Sequence, residues 1–491
     1  MRRCLPLLLL ALLSTSAPAK TWLAISPDPA LGVSLEPVAE LRRSQGFEVI
    51  ISSDGVAEAI DKLPSPPDYV LILGDDQAIP ARRGHQYRWL STQNESFAAD
   101  PLFSDLDGDG IPEFPVGRIP TNSPDKLGHV VEKILAYEDR ELGIDDLNLP
   151  IWSGTPAYGK LLDESADWLL MSTINKYLPK WAQPWVITAN PSNTLNAWPE
   201  EQFSLFNQQI QKGGVFTAMM GHGNTDIFLS MIGAATALGR RDIVYNNSHA
   251  GALDSIEHLS PPLVIFACDC GNFADRKRRS LASTLLLGRG GPVATIAATT
   301  ESHPLTNFYS SIALMEAFGE GAYDRVGDLW LAAQGNASAM RKPLIERMLK
   351  NVEGALEVNI DIPKLKRDQM QMYAYLGDPA LSITIPQELG ATVERDEAGE
   401  GWKWSAEIPP GTGSLIVQHR PVSKPLRTKP AGADRPTSLS LFETRNGQFA
   451  FQTLEEIPRG EAWSGQISAS GDLRLITISG PVIRVATHRL R

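Results

Sequence analysis

The chain has 491 residues, 43% of them hydrophobic and 21% charged, with 57 Asp and Glu against 45 Lys and Arg for a formal net charge of -12. That length exceeds what one ordinary core encloses and calls for roughly two to four domains of globular composition. The acidic balance, with a pI near 5.3, repels nucleic acid and anionic membrane surfaces and argues against both as partners.

The chain begins Met1-Arg2-Arg3, continues with an apolar run from Leu5 to Leu13 and reaches Ala17-Pro18-Ala19. This is the order of a secretory signal peptide, residues 1–19, with cleavage expected after Ala19. The apolar run is too short to span a bilayer, and no later segment offers the ~18 consecutive apolar residues of a transmembrane helix. The expectation is therefore an exported protein, periplasmic, cell-surface or secreted, without a membrane anchor. The mature chain reaches its first strand near Trp22 with no long pro-segment before it, so an N-terminal inhibitory domain is not expected. Of the 3 cysteines, Cys4 lies in the leader, so Cys268 and Cys270 remain. A disulfide between them would close a strained ring across one residue, and a metal site would need more soft ligands than the neighbourhood supplies. Nucleophilic chemistry is the leading reason for an exported chain to keep such a pair.

From residue 21 to about 300, short apolar runs alternate with amphipathic stretches, as in strands joined by crossover helices in a mainly parallel sheet. Strands are predicted near 22–25, 49–51, 69–73, 151–152, 185–188, 215–219, 263–267 and 293–297, and helices over 124–140, 164–177, 199–211 and 279–287. Gly74-Asp75-Asp76 follows a strand but lacks the spaced glycines or Lys-Ser/Thr of a phosphate loop. Asp105, Asp107 and Asp109 alternate ahead of Gly110, a spacing of hard oxygen ligands that suits a structural Ca²⁺, with Glu113 as a further candidate ligand because position twelve of the loop is Val116. The alternative is a solvated acidic turn, and in either case no cofactor is needed for chemistry. A charged stretch over 141–148 separates an N-terminal α/β subdomain, 20–140, from a second, 141–387. Beyond that, alternating runs at 414–418 and 473–478, punctuated by Gly, Pro, Asp and Asn, predict a small β-sandwich over 388–491, with 421–436 as a long exposed loop.

The apolar run from Val215 to Met220 ends in Gly221-His222-Gly223, so the imidazole sits at a carboxyl strand end, where open α/β sheets place their sites. The next strand-like run, Pro262 to Ala267, delivers Cys268 to the same edge. A neighbouring imidazole lowers a thiol's pKa and can protonate a leaving amine, so this pair suffices for acyl transfer. Gly223 leaves its amide open to a substrate carbonyl, as one half of an oxyanion hole.

These motifs resemble the gingipain family of cysteine peptidases, which has a caspase-like fold. The resemblance runs through Asp68 to Asp75, Ile79-Pro80, Val116 to Ile119, Gly221-His222-Gly223, Ala267-Cys268 with Gly271-Asn272-Phe273, Gly291 to Ala298 and Gly377-Asp378-Pro379-Ala380-Leu381. It implies Cys268 as nucleophile, His222 as acid-base residue, the amides of Gly223 and Cys268 as oxyanion donors, and an immunoglobulin-like domain after the catalytic part. It also implies acidic residues near the His and in the specificity pocket. Asp163, Glu164 and Asp167 are candidates for either task, and equally for helix caps. By the same resemblance Thr299 to His303 lines the pocket for the residue before the cut, where Glu301 would invite a basic side chain and His303 would block it. Cys270 departs from the family motif and reads as a bystander. The basic run Arg276 to Arg279 reads as a solvated face, a subsite for acidic substrate residues or a self-cleavage point.

The expected activity is a thiol endopeptidase, a hydrolase cleaving polypeptides through a thioester. The same dyad would serve a sorting transpeptidase, since amine and water attack one intermediate. A protein-binding module that kept the peptidase fold is the alternative from another class.

Overall fold

The computed structural model describes residues 19–87, 94–154, 160–190, 193, 195–231, 242–255, 259–354, 361–396, 401–421 and 439–491. Residues 1–18 of the leader, and all of the predicted loop at 421–436 except Pro421, lie outside them.

The central strands are apolar on both faces and assemble with more exposed edge strands into one ten-stranded sheet flanked by helices. Its order is Glu48–Ser52, Thr21–Ile25, Tyr69–Leu73, Val116–Ile119, Tyr373–Leu376, Thr295–Ala298, Leu263–Phe266, Thr217–Met220, Asn148–Ser153 and Gln183–Thr188. The two predicted α/β units are therefore two halves of one sheet. Each half is parallel, and they meet at a seam where Tyr373–Leu376 runs parallel to Val116–Ile119 but antiparallel to Thr295–Ala298. The halves consequently point in opposite directions, and the five strands of this sheet between 148 and 298 bring their carboxyl ends to one edge. Helices cover the sheet where caps allow them to start: Ser123 accepts from Lys126 N–H ahead of Pro124–Asp139, and Ser280 from Ser283 N–H ahead of Leu281–Leu287.

A buried ion cluster ties the first half together. The Arg42 guanidinium is fully buried and pairs with Asp378 at 2.7 Å and Glu138 at 2.9 Å, while Trp22 Nε1 donates to the other Asp378 oxygen at 3.0 Å. The Gly377-Asp378-Pro379 motif is thus a structural junction.

From residue 387 the chain builds a five-stranded sheet, in the order Gln387–Glu388, Val482–Leu490, Gly471–Ser479, Ser414–Pro421 and Gln452–Pro458, and a three-stranded one, Ala391–Arg395, Trp402–Ala406 and Ser464–Ile467. Leu389, Trp404, Leu415, Val417, Trp463, Leu473 and Leu475 form the core they share. The Gly471–Ser479 strand is buried on both faces, because Ile476 packs on Leu147 and Arg474 donates to the Trp181 carbonyl at 2.6 Å. A helix that sequence reasoning missed, Leu439–Gly447, covers the outermost strand of the large sheet. Its Asn446 amide accepts from Val186 N–H at 3.1 Å and donates to Val186 C=O at 2.7 Å, replacing a missing neighbour strand.

Candidate active site

Thr217–Met220 and Leu263–Phe266 are neighbours in the sheet, with Met220 and Phe266 in register. Both chains leave the sheet at the same level, and Gly221 N–H donates to the Phe266 carbonyl at 3.1 Å. After Gly221 the chain turns into a hairpin of His222–Asn224 against Ile227–Met231. Asn224 and Ile227 flank the two-residue turn and form the hydrogen-bonded pair, so Gly223 falls in the next, non-bonded pair and its N–H points out of the hairpin. Close packing explains both glycines. A Cβ on Gly221 would lie 2.8 Å from the Phe228 ring, and one on Gly223 would lie 2.5 Å from the Cys268 carbonyl oxygen and 2.6 Å from Cys270 Sγ. The residue after His222 therefore rests directly on the thiol-bearing loop.

That loop is held in a sparsely populated conformation. Asp269 has φ 57°, in the left-handed region, and the Cys268 carbonyl accepts from Cys270 N–H at 2.7 Å across it. Asp269 N–H then bonds the Thr300 carbonyl and Gly271 N–H the Ala298 carbonyl, which fastens the loop to the end of the neighbouring strand. The turn separates the two thiols. Cys268 is half-buried, with Sγ 3.6 Å from the Ser302 carbonyl it donates to. Cys270 is fully buried, its Sγ 3.5 Å from the carbonyls of Asn224 and Ile227, behind the hairpin. Burial pushes both thiols above their ordinary range. For Cys268 hydrogen bonding at Ser302 offsets part of that shift, and the carboxylates of Asp269 and Glu301 add to it.

The hairpin tip is clamped to the stretch after the thiol loop. Thr225 Oγ1 donates to Asp275 at 3.3 Å, Arg278 reaches Thr225 at 3.1 Å and Asp226 at 3.2 Å, and Leu281 N–H donates to the Thr225 carbonyl at 2.7 Å. Within the basic run Arg278 is thus engaged in holding the hairpin, a role its sequence gave no sign of.

The other predicted site residues divide. Glu301 is half-buried, and its carboxylate adds to the upward shift of the Cys268 thiol. His303 is buried and caps the helix Pro304–Glu320, its Nδ1 accepting from Leu305 N–H at 3.1 Å. Asp163 and Glu164 fall inside the helix Lys160–Tyr177, which starts earlier than predicted, so they do not precede it as caps; their side chains are outside the described ones. Asp105, Asp107 and Asp109 do converge, each offering an oxygen within 4.8 Å of the others. Asp105 Oδ1 is buried with no hydrogen-bond partner, which fits a cation, whereas Glu113 lies outside this group and accepts from Leu106 N–H at 2.9 Å. Among the described residues no helix is long and apolar enough to cross a membrane.

The family model for Peptidase family C25 matches residues 16–384. Similar solved structures include the Arg-specific cysteine proteinase gingipain R, at a TM-score of 0.54 and 14% identity, covering 96% of this chain and 98% of that one. A structure described only as a protease gives 0.57 and 13%, covering 97% and 98%. The complex of Porphyromonas gingivalis RgpB pro- and mature domains gives 0.52 and 14%, covering 96% and 100%. No curated protein sequence matches the chain. At these identities the structural likeness speaks to the fold alone.

Proposed function

The chain belongs to peptidase family C25, and from that premise we propose that it is an exported cysteine endopeptidase in which Cys268 is the nucleophile and His222 its acid-base partner. The observation that supports this reading is the close packing of Gly223 on the Cys268 carbonyl, where a Cβ would lie 2.5 Å from the oxygen, so the residue after His222 rests on the residue that bears the thiol. Burial keeps the resting thiol protonated, so the reading is a proton transfer to His222 as sulfur attacks, rather than a standing thiolate. The sulfur bonds to the substrate carbonyl carbon, and the oxyanion is received by the amides of Gly223 and Cys268. His222 returns the proton to the leaving amine, the C–N bond breaks, and a thioester remains. Water, deprotonated by His222, then displaces the sulfur and releases the acid.

Glu301, the half-buried acid whose carboxylate adds to the shift of the thiol, favours a basic side chain before the cut. Asp105, Asp107 and Asp109 would hold a structural Ca²⁺ that orders the N-terminal half and takes no part in bond cleavage. Export through residues 1–19 belongs to the same proposal.

The test is cleavage of a positional peptide library by wild type, Cys268→Ala, Cys270→Ala and His222→Ala. Loss with Cys268→Ala and His222→Ala but not with Cys270→Ala supports the dyad. Cleavage that survives Cys268→Ala would overturn it, and an amide-linked product on adding an amine would redirect the reading to transpeptidation.

A further inference from the structure

Beneath Cys268 lies a buried polar network whose members come from three segments of the chain. Thr299 to His303 leaves the sheet beside the thiol loop, Asn307 and Ser310 lie in the helix Pro304–Glu320, and Gln369 and Tyr373 lie at the end of the helix Ile362–Met372 and the start of the strand after it. Ser302, Asn307, Gln369 and Tyr373 are all at least nine-tenths buried. At that depth every hydrogen bond must find a partner, so the proton positions can be worked out one by one.

Burial holds Tyr373 far above the ordinary phenol range, so its hydroxyl keeps its proton and donates to Asn307 Oδ1 at 2.7 Å. Gln369 Nε2 donates to the same oxygen at 3.1 Å, and the Gln369 carbonyl is in turn fixed by Thr306 Oγ1 at 2.8 Å. Two donors fill the lone pairs of Asn307 Oδ1, which leaves its Nδ2 to face the other way. That group donates to Ser302 Oγ at 2.9 Å. Ser302 Oγ is thereby an acceptor from Asn307 and has one proton left to give. The groups in reach are the Cys268 sulfur and the Tyr373 oxygen, and the sulfur already touches Ser302 through its carbonyl at 3.6 Å.

Resting on the cysteine-nucleophile reading above, we infer that Ser302 is a further catalytic residue: its hydroxyl donates to the Cys268 sulfur once the thiol proton has left, with Asn307 and Tyr373 as positioning residues. In the resting enzyme the thiol gives its proton to the Ser302 carbonyl. When that proton passes to His222 the sulfur becomes an acceptor, and the Ser302 O–H, which the Asn307 amide leaves as a donor by filling the oxygen instead, turns to it. A site whose burial and carboxylates oppose the thiolate gains from such a donor, since hydrogen bonds to an anion exceed neutral ones roughly twofold in strength.

The test reads thiolate formation without substrate. Alkylation of Cys268 by iodoacetamide is followed against pH by peptide mass mapping in the full chain, for wild type, Ser302→Ala, Ser302→Thr and Tyr373→Phe, with melting temperature as a control. Ser302→Ala is expected to move the alkylation midpoint up by about one pH unit, equivalent to about tenfold slower labelling on the rising limb. Ser302→Thr restores the profile, and Tyr373→Phe shifts it less, in the same sense. A Ser302→Ala profile superimposable on wild type overturns the assignment. Should Ser302→Ala fail to fold, Tyr373→Phe decides, and an unmoved midpoint there overturns it. A wild type whose Cys268 labels no faster than Cys270 at any pH overturns the nucleophile reading and this inference together. Reactive Cys268 that ignores Ser302 overturns this inference alone.

Discussion

Gly223→Ala is the most exacting perturbation of the site, because it adds one methyl group between the His222 hairpin and the Cys268 loop. The new Cβ would lie 2.5 Å from the Cys268 carbonyl oxygen, 2.6 Å from Cys270 Sγ and 3.0 Å from Ala267 Cβ, whereas ordinary contact starts at 3.4 Å. None of these neighbours yields easily. The oxygen is backbone, accepts from Cys270 N–H and belongs to the loop pinned at Thr300 and Ala298. The hairpin must therefore move by about 0.9 Å, at a cost on the order of 1–3 kcal/mol for overpacking. A displacement near 1 Å between acid-base residue and nucleophile lowers the rate by roughly 10²-fold. The assay is kcat/KM on a cleaved peptide, alongside melting temperature and iodoacetamide labelling of Cys268. The expected result is a loss of about 10²-fold in kcat/KM with a folded protein and a labelled thiol. Activity within threefold of wild type at an unchanged melting temperature would refute the argued contact.

Three further outcomes follow from features away from the dyad. Asn446→Leu orphans the N–H and C=O of Val186 on the outermost sheet strand, and should cost about 2–3 kcal/mol in unfolding experiments and promote aggregation visible by light scattering; unchanged stability would mean the strand edge is satisfied otherwise. Burial raises Tyr245, Tyr373, Tyr375, Cys268 and Cys270 above their ordinary values of 10.0 and 9.0. Each therefore contributes stability that is fully present below its unfolded value and is lost as pH rises from there towards its folded one, at about 1.4 kcal/mol per pH unit per group. Part of the tyrosinate ultraviolet absorbance should therefore appear at higher pH in the folded chain than in the unfolded one, and coincident titrations would contradict this burial. Millimolar Ca²⁺ should raise the melting temperature by about 2–4 °C and Asp107→Ala should abolish the rise, while equal responses in both proteins would remove Asp107 from any cation site.

Much of the sheet was legible because its strands are continuous apolar runs ended by glycine or a polar residue, as at 69–73 and 263–267. The placing of His222 and Cys268 at one edge was legible for a related reason: two successive strands in a parallel sheet pair as neighbours. What escaped depends on contacts between distant residues. Nothing local in Tyr373–Leu376 says that it joins two halves of opposite direction, and nothing local in Leu439–Gly447 says that its Asn446 stands in for a strand. The capping role of His303 also went unread, although Pro304 directly after it marks the start of a helix. The Ser302 network depends on links such as Cys268 to Ser302 and Asn307 to Tyr373, 34 and 66 positions apart, separations no periodicity encodes.

The most direct test of the central claim is intact and peptide-level mass spectrometry of the enzyme acid-quenched during turnover of a peptide ester. The expected result is an acyl adduct on the peptide that carries Cys268, absent in Cys268→Ala and retained in Cys270→Ala. Steady turnover with no adduct on Cys268, or with the acyl group on another residue, would contradict it.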